Sequence, residues 1–336
     1  MTPALPLALS KITGRSMFVT ALIAVSALPM TALAEMDCGP PSASPPVELR
    51  PETTPLAVKI TSPADGFVTR RAEIEVRGTF DGPPNSGLRI NGRAPIMYGN
   101  EFVLPSLHLR TDSTRIEARV VSMTGSKGVD SVDVRVDENA PVEALVLTAD
   151  RTSGLVPTTA KFSWTNALPQ DFARMQMDFT DDGSFDVDST EVSTPLQFVY
   201  TNPGIFTARL RLTTAEPSRV VHEATRSVAS VNTDFRRATL CYVFDRMRKR
   251  LTAFDVAGAL ETLNPDLRPN FEAYWTANVA RLPMMAAALG DVVDGTMSGD
   301  FAQLTIARPS EGKLERQAFF ITLGTDRDGV WRITAM

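Results

Sequence analysis

"TRIEARVVS" (Thr114–Ser122) alternates Ile116, Ala118 and Val120 with the charged Glu117 and Arg119. A period of two sends successive side chains to opposite faces of an extended chain, so the stretch reads as a β-strand with one dry face. The alternation recurs in "AEIEVRG" (Ala72–Gly78), where Ile74 and Val76 oppose Glu73, Glu75 and Arg77. It recurs again in "SVDVRV" through Val132, Val134 and Val136. Prolines (24) and glycines (20) punctuate these runs, which suits short antiparallel strands packed as a sandwich. Within "INGRA" (Ile90–Ala94) the Asn91-Gly92 pair favours the positive φ of a tight hairpin.

The segment 56–138 also carries a resemblance. "ITSPADGFVT", "VRGTFDGPPNSGLRINGRAPIMYGNEFVL" and "TRIEARVVSMTGSKG" resemble a bacterial immunoglobulin-like domain of secreted proteins, with Asp112-Ser113 where such domains often have Pro-Gly. A second strand-rich unit spans 142–231. "GLVPTTAKFSW" puts Ala160, Phe162 and Trp164 on one face, and "FTARLRL" sets Phe206, Ala208, Leu210 and Leu212 against Thr207, Arg209 and Arg211. With "MDFTDDGSFD" and "FVYTNPGIFTARLRL", ending in Tyr200, Pro203, Gly204, Phe206 and Thr207, this unit resembles a PKD domain. Met177 stands where that family usually has tryptophan. The resemblance implies a second immunoglobulin-like sandwich.

From Phe235 the period changes. Leu240, Val243, Phe244, Met247 and Leu251 recur at steps of three and four, predicting an amphipathic helix capped by Asn232 or Thr233, with Asp234 in its first turn. A shorter helix is expected to carry Val256, Leu260 and Leu263 and to stop at Asn264-Pro265. Helical character is expected through "NFEAYWTANVARL" and "MMAAALGDV". Strands are expected in "FAQLTIARP", "RQAFFITLG" and "VWRITAM", with turns at "SEGK" and "DRDG". Helices followed by an antiparallel sheet make an α+β domain. Through "MRKRLTAFDVAGALETLNPDLRPNFEAYW" and the closing "DGVWRI", residues 233–336 look like a ketosteroid-isomerase-like (nuclear transport factor 2-like) cone fold.

The N-terminus reads as an address. "KITGR" is basic, "SMFVTALIAVSALPM" is apolar, and "TALA" ends on small residues, the layout of a secretory signal peptide (1–34) cleaved after Ala34. The apolar run is shorter than the roughly 20 residues that span a bilayer. A proline-rich spacer (35–55) follows. Cys38 follows "AEMD", which is no lipidation box. Export would permit Cys38 and Cys241 to pair, but the reading favours a free thiol on the tail and a small buried side chain in the helix. Apolar content of 43% with 22% charge is that of a folded chain, and a net charge of −5 argues against a nucleic-acid partner.

The stretch "MDFTDDGSFDVD" (Met177–Asp188) holds five aspartates in twelve residues. Read as an EF-hand loop from Asp178, it has Thr180 at position 3 and Ser189 at position 12, where oxygen ligands of a calcium site are needed. The preferred reading is a turn whose carboxylates bond nearby backbone while Gly183 supplies positive φ, leaving calcium as the alternative. The two histidines, His108 and His222, have no metal-ligand spacing, and His222 is expected to face solvent or be hydrogen-bonded. The C-terminal segment has no histidine. Tyr242, Tyr274, Glu272 and Asp245 are the residue types an isomerase-like site would use. "RMRKR" (Arg246–Arg250) reads as a solvated helix face. Tyr98 and Trp164 are too few for a carbohydrate platform and are expected to be partly buried.

No catalytic, cofactor-binding or metal residue is therefore assigned. The expectation is a multidomain chain of two all-β immunoglobulin-like sandwiches and an α+β cone-like domain. It would be an exported, non-enzymatic binding or scaffolding protein of the bacterial periplasm or cell surface. Its partner would be an unknown envelope protein or glycan, with no nucleic acid and no membrane span after cleavage. The alternative is an isomerase or hydrolase in the C-terminal domain, with the sandwiches as targeting modules.

Overall fold

The computed structural model describes Cys38 and residues 49–110, 112–167, 171–215, 219–309 and 316–336. The proposed cleavage site at Ala34, most of the spacer and the "SEGK" turn lie outside these. Residues 34–336 form one compact unit containing three hydrophobic cores.

The strand read from "TRIEARVVS" is β7 (Asp112–Val121), and its apolar residues Ile116, Ala118 and Val120 are fully buried. Around it lie β1 (Ala57–Ser62), β2 (Phe67–Thr69), β3 (Glu73–Asp81), β4 (Gly87–Ile90), β5 (Ile96–Tyr98), β6 (Glu101–His108) and β8 (Lys127–Val136). They make two sheets, ordered β1-β3-β6-β5 and β2-β8-β7-β4. This is the strand plan of an immunoglobulin-like sandwich, the first, second, fifth and fourth principal strands facing the rest. Asn91 (φ 47°) and Gly92 (φ 79°) form the expected tight turn. The strands it joins, β4 and β5, belong to opposite sheets, so it carries the chain across the sandwich instead of closing a hairpin.

The second sandwich varies the plan with β9 (Leu145–Ala149), β10 (Ser153–Leu155), β11 (Thr158–Asn166), β12 (Phe172–Asp178), β13 (Val187–Ser189), β14 (Leu196–Tyr200), β15 (Gly204–Thr214) and β16 (Val221–Val231), its short β13 pairing with β12 where β5 pairs with β6. Its sheets run β14-β11-β9 and β10-β16-β15-β12-β13. Ala160, Phe162, Ala208, Leu210 and Leu212 point into the core, as the alternation requires.

After β16 the chain forms α1 (Asp234–Thr252), α2 (Val256–Leu260), α3 (Arg268–Ala277) and α4 (Leu282–Ala288). An antiparallel meander follows: β17 (Asp291–Ser298), β18 (Phe301–Pro309), β19 (Arg316–Thr325) and β20 (Trp331–Ala335). The helical stripe from Leu240 to Leu251 is buried against the sheet residues Leu304, Ile306, Ile321, Leu323 and Ile333. Thr233 occupies the cap position without a side-chain cap bond, while Asn232 Nδ2 donates to the Asp234 carboxylate at 3.0 Å.

Two expectations need correction. Leu263 lies beyond α2, bridging Ile333 in parallel, with Asn264 N–H donating to the Ile333 carbonyl at 2.8 Å. Helical character also stops at Ala288. Gly290 (φ 83°) turns the chain into β17, whose alternation is broken by a bulge between Val292 and Asp294 and so left no period to detect. Among the described residues, no helix is long and apolar enough to cross a membrane.

Candidate functional site

The first sandwich bonds to both other parts of the unit, and the residues that make those bonds surround a cavity. Toward the C-terminal part, Asn85 (φ 61°) offers both ends of its amide to one buried residue. Its Nδ2 donates to the Trp331 carbonyl and its Oδ1 accepts from the Trp331 N–H, each at 2.9 Å. Gly87 is required beside it, because a Cβ there would lie 2.4 Å from the Asp328 carbonyl oxygen. Arg119 pairs with Asp328 at 3.0 Å, and Arg332 donates to the Met123 carbonyl at 3.1 Å. Val121 and Met123 complete the C-terminal hydrophobic core from the first sandwich. Toward the second sandwich, Ser227 donates to Glu75 through its hydroxyl (2.6 Å) and its N–H (3.1 Å), and Arg77 donates to the Thr207 hydroxyl at 2.8 Å.

The segment preceding β1 adds a clamp. Glu52 accepts from Tyr242 (2.9 Å), Arg246 (2.6 Å) and Arg250 (2.9 Å) on α1. Arg246, with its side chain only 5% exposed, also pairs with Glu261 at 2.5 Å. The reading of "RMRKR" as a solvated face therefore fails at its first residue. Arg246 lies three and four residues from Val243 and Tyr242, on a buried face, and two carboxylates offset its desolvation. Burial pulls the Glu52 carboxyl upward, but the hydrogen bonds from Arg246 and Tyr242, with the charges of Arg246 and Arg250, outweigh it and hold Glu52 below its ordinary 4.5. Burial and the Glu52 hydrogen bond push the Tyr242 phenol up.

Near this clamp Cys38 is disulfide-bonded to Cys241, 203 residues away. The expectation of two unpaired cysteines is thereby overturned. The Cα atoms lie 5.7 Å apart, within bonding reach.

Between the three parts lies a cavity of about 440 Å³, within the range of small-molecule sites. Phe80, Pro84, Met97, Leu155, Phe235 and Trp331 supply apolar wall from all three parts. Arg50, Arg89, Arg236 and Asp300 are its charged groups. Arg50 is engaged by Asp81 at 3.1 Å. The Arg89 Nε is buried against Gly329 without a hydrogen-bond partner among the described residues.

The sites weighed in the sequence lie elsewhere. In the acidic stretch, Asp178 is buried and accepts from the N–H groups of Thr180 (3.0 Å), Asp181 (2.7 Å) and Gly183 (2.9 Å). Asp186 accepts from Phe179 N–H at 2.8 Å, and Gly183 has φ 90°. The carboxylates hold a turn, as the preferred reading had it. The Ser184 amide and the Arg174 guanidinium keep Asp182 and Asp188 below the ordinary carboxylate range, the wrong direction for a general acid. Among the described residues no group of three or more His, Cys, Asp and Glu is placed to hold a metal ion.

Asp245, Glu272 and Tyr274 are exposed, and Tyr242 is occupied by Glu52, so these four do not converge. His108 is exposed beside Glu73. His222 is half-buried edge-on to Phe172, with its Nε2 buried and unpartnered. Tyr98 and Trp164 are half-buried, as expected. The junction residues Asn85, Gly87, Glu52 and Arg246 were not singled out as a site by sequence reasoning. Only the helical spacing of Arg246 offered a signal.

No family model matches the chain, and no curated protein matches it. Solved structures overlap about half of it. Fibronectin(III)-like modules of Clostridium thermocellum CbhA are 11% identical over 52% of this chain and 94% of theirs, with a TM-score of 0.20. Tandem Ig repeats of Dlar are 12% identical over 53% of this chain and 97% of theirs, with a TM-score of 0.23. A Bacteroides ovatus protein, SGBP-B, solved with a mixed-linkage heptasaccharide, is 16% identical over 52% of this chain and 48% of its own, with a TM-score of 0.18. Overlaps at such scores carry no argument, and the immunoglobulin-like description rests on the strand orders.

Proposed function

We propose that this chain is an exported, non-enzymatic binding or scaffolding protein of the bacterial periplasm or cell surface. In this reading 142–231 is a PKD-like module and 233–336 a nuclear-transport-factor-2-like domain. The first sandwich fixes both into one body that presents the junction cavity. The observation that carries the reading is the set of bonds from Asn85, Glu75 and Glu52, which join parts far apart in sequence. The disulfide between Cys38 and Cys241 supports export, since such bonds persist in oxidising compartments. An enzyme in the C-terminal part lacks comparable support, because its candidate acids Asp245 and Glu272 face solvent.

Two measurements test this. Expression with residues 1–34 intact should yield a chain outside the cytoplasm that begins at Glu35 and has no free thiol. An uncleaved, reduced cytoplasmic chain would overturn the export reading. The intact chain should turn over no member of a hydrolase and isomerase substrate panel, and turnover abolished by Glu272→Gln or Tyr242→Phe would establish the enzyme instead.

A further inference from the structure

The lining of the junction cavity is unlike the molecule around it. The whole chain carries a net charge of −5, yet the charged groups on the cavity wall are three arginines and one aspartate. Arg50 is neutralised by Asp81. Arg89 and Arg236 have no carboxylate partner among the described residues. Each donates to a single backbone carbonyl at 3.3 Å, Arg89 to Asp326 and Arg236 to Gly299. The Nε of Arg89 is itself buried beyond the reach of a ligand, so the donors that Arg89 can offer to the cavity are its terminal guanidinium nitrogens. The rest of the wall is largely apolar, and it includes Leu155, 61% exposed at the tip of β10. Such a lining suits a ligand with an anionic head and a long apolar body.

We propose that this cavity binds an amphipathic acyl anion, its carboxylate or phosphate held by Arg89 and Arg236 and its apolar chain laid between Met97, Leu155 and Trp331. The proposal rests on the reading of the junction as a fixed binding body. A guanidinium meets either head group through charge-assisted hydrogen bonds, so both are of one chemistry here. A carboxylate would come from a free fatty acid, a phosphate from a lipid head group.

The test is titration calorimetry on the disulfide-bonded mature chain, with dodecanoate, dodecyl phosphate and dodecanol as probes below their micellar concentrations. Both anions should bind one to one and dodecanol about tenfold more weakly, the loss expected when a charge-assisted bond goes unmade. Arg236→Gln and Arg89→Gln should each weaken the anions about tenfold and leave dodecanol unchanged. Leu155→Asp, at an exposed position, should weaken all three probes, because it removes apolar wall from under the chain that they share. The tighter anion identifies the source. Equal binding of dodecanol, anion binding indifferent to both arginines, or no saturable binding by any probe overturns the proposal. Heat-induced unfolding separates this failure from that of the underlying reading. A single transition without ligand binding refutes only the ligand class, whereas separate transitions for the three parts refute both.

Discussion

In the first sandwich the core is mostly aliphatic, Ile74, Val76, Ile116, Val120 and Val134 among its members beside Phe80 and Phe102, and polar residues such as Glu75 of β3 and Asn85 of the loop after it bond outward to other parts. In the second, five rings run in contact from Phe162 through Phe179, Phe198 and Tyr200 to Phe206, with centroids 4.8–5.5 Å apart. Most of its polar bonding is inward, where the Tyr200 hydroxyl donates to the Phe179 carbonyl at 3.0 Å and Asp178 holds its own turn, while Ser227 reaches out to Glu75. Burial pushes the Tyr200 phenol up, so it stays a donor. Related strand plans thus serve two roles. Whether a sandwich bonds mainly outward or mainly inward is decided by a few polar side chains outside its alternating core.

The disulfide offers the largest test of this contrast. Cys38→Ser with Cys241→Ser opens a loop of 203 residues, and the chain-entropy relation assigns such closure about 5 kcal/mol. Denaturant unfolding should show that loss. Hydrogen exchange should accelerate more in α1 and in the strands of the first sandwich that face it than in β12 and β15. Equal acceleration in both sandwiches would break the distinction.

Asn85→Leu comes next. It strips the partners from the N–H and C=O of Trp331 in a buried setting, and two unsatisfied backbone groups cost about 3 kcal/mol. Limited proteolysis should then release the C-terminal part, while the second sandwich stays resistant. A variant as stable as the parent would mean that the junction is held by apolar contact alone.

These residues also mark how far the sequence could be read. Alternation such as Ile116-Ala118-Val120 is local, so strands and dry faces were legible at once. The period of Leu240, Val243 and Met247 was legible for the same reason. Asn85 and Gly87 sit in "GPPNSGLRI", where asparagine and glycine already have a sufficient explanation as turn residues. Their second use depends on Trp331, 246 positions beyond Asn85, and nothing nearby announces it. The Cys38–Cys241 bond and the Glu52 clamp are hidden likewise, because each needs the path of the segment before β1. The acidic turn was legible because Asp178 is answered within five residues.

That inward bonding predicts a confined effect. Asp178→Ala leaves the amides of Thr180, Asp181 and Gly183 without their acceptor and should destabilise by about 2 kcal/mol. Faster hydrogen exchange should appear in residues 178–189 and in β12, with α1 and β4 unaffected. A disturbance reaching the first sandwich would show that the turn is coupled to the Ser227–Glu75 contact between the two.

The smallest effect depends on pH and belongs to the segment before β1. Glu52 is held below its ordinary value of 4.5 in the folded chain, so it contributes stability above that pH and loses the contribution as pH falls through the folded value. Glu52→Gln removes the charge but keeps the shape. The side chain is 45% exposed, so solvent screening limits the expected loss at pH 7 to about 1 kcal/mol. The difference between parent and variant should be constant from pH 7 to about 5, then close as the parent's carboxylate is protonated. High salt should shrink it at neutral pH. Asp178→Ala should respond differently to salt, since its acceptor is buried and bonded to backbone amides. A gap between parent and Glu52→Gln that widened on acidification, or ignored salt entirely, would mean that Glu52 acts by packing and not by its charge.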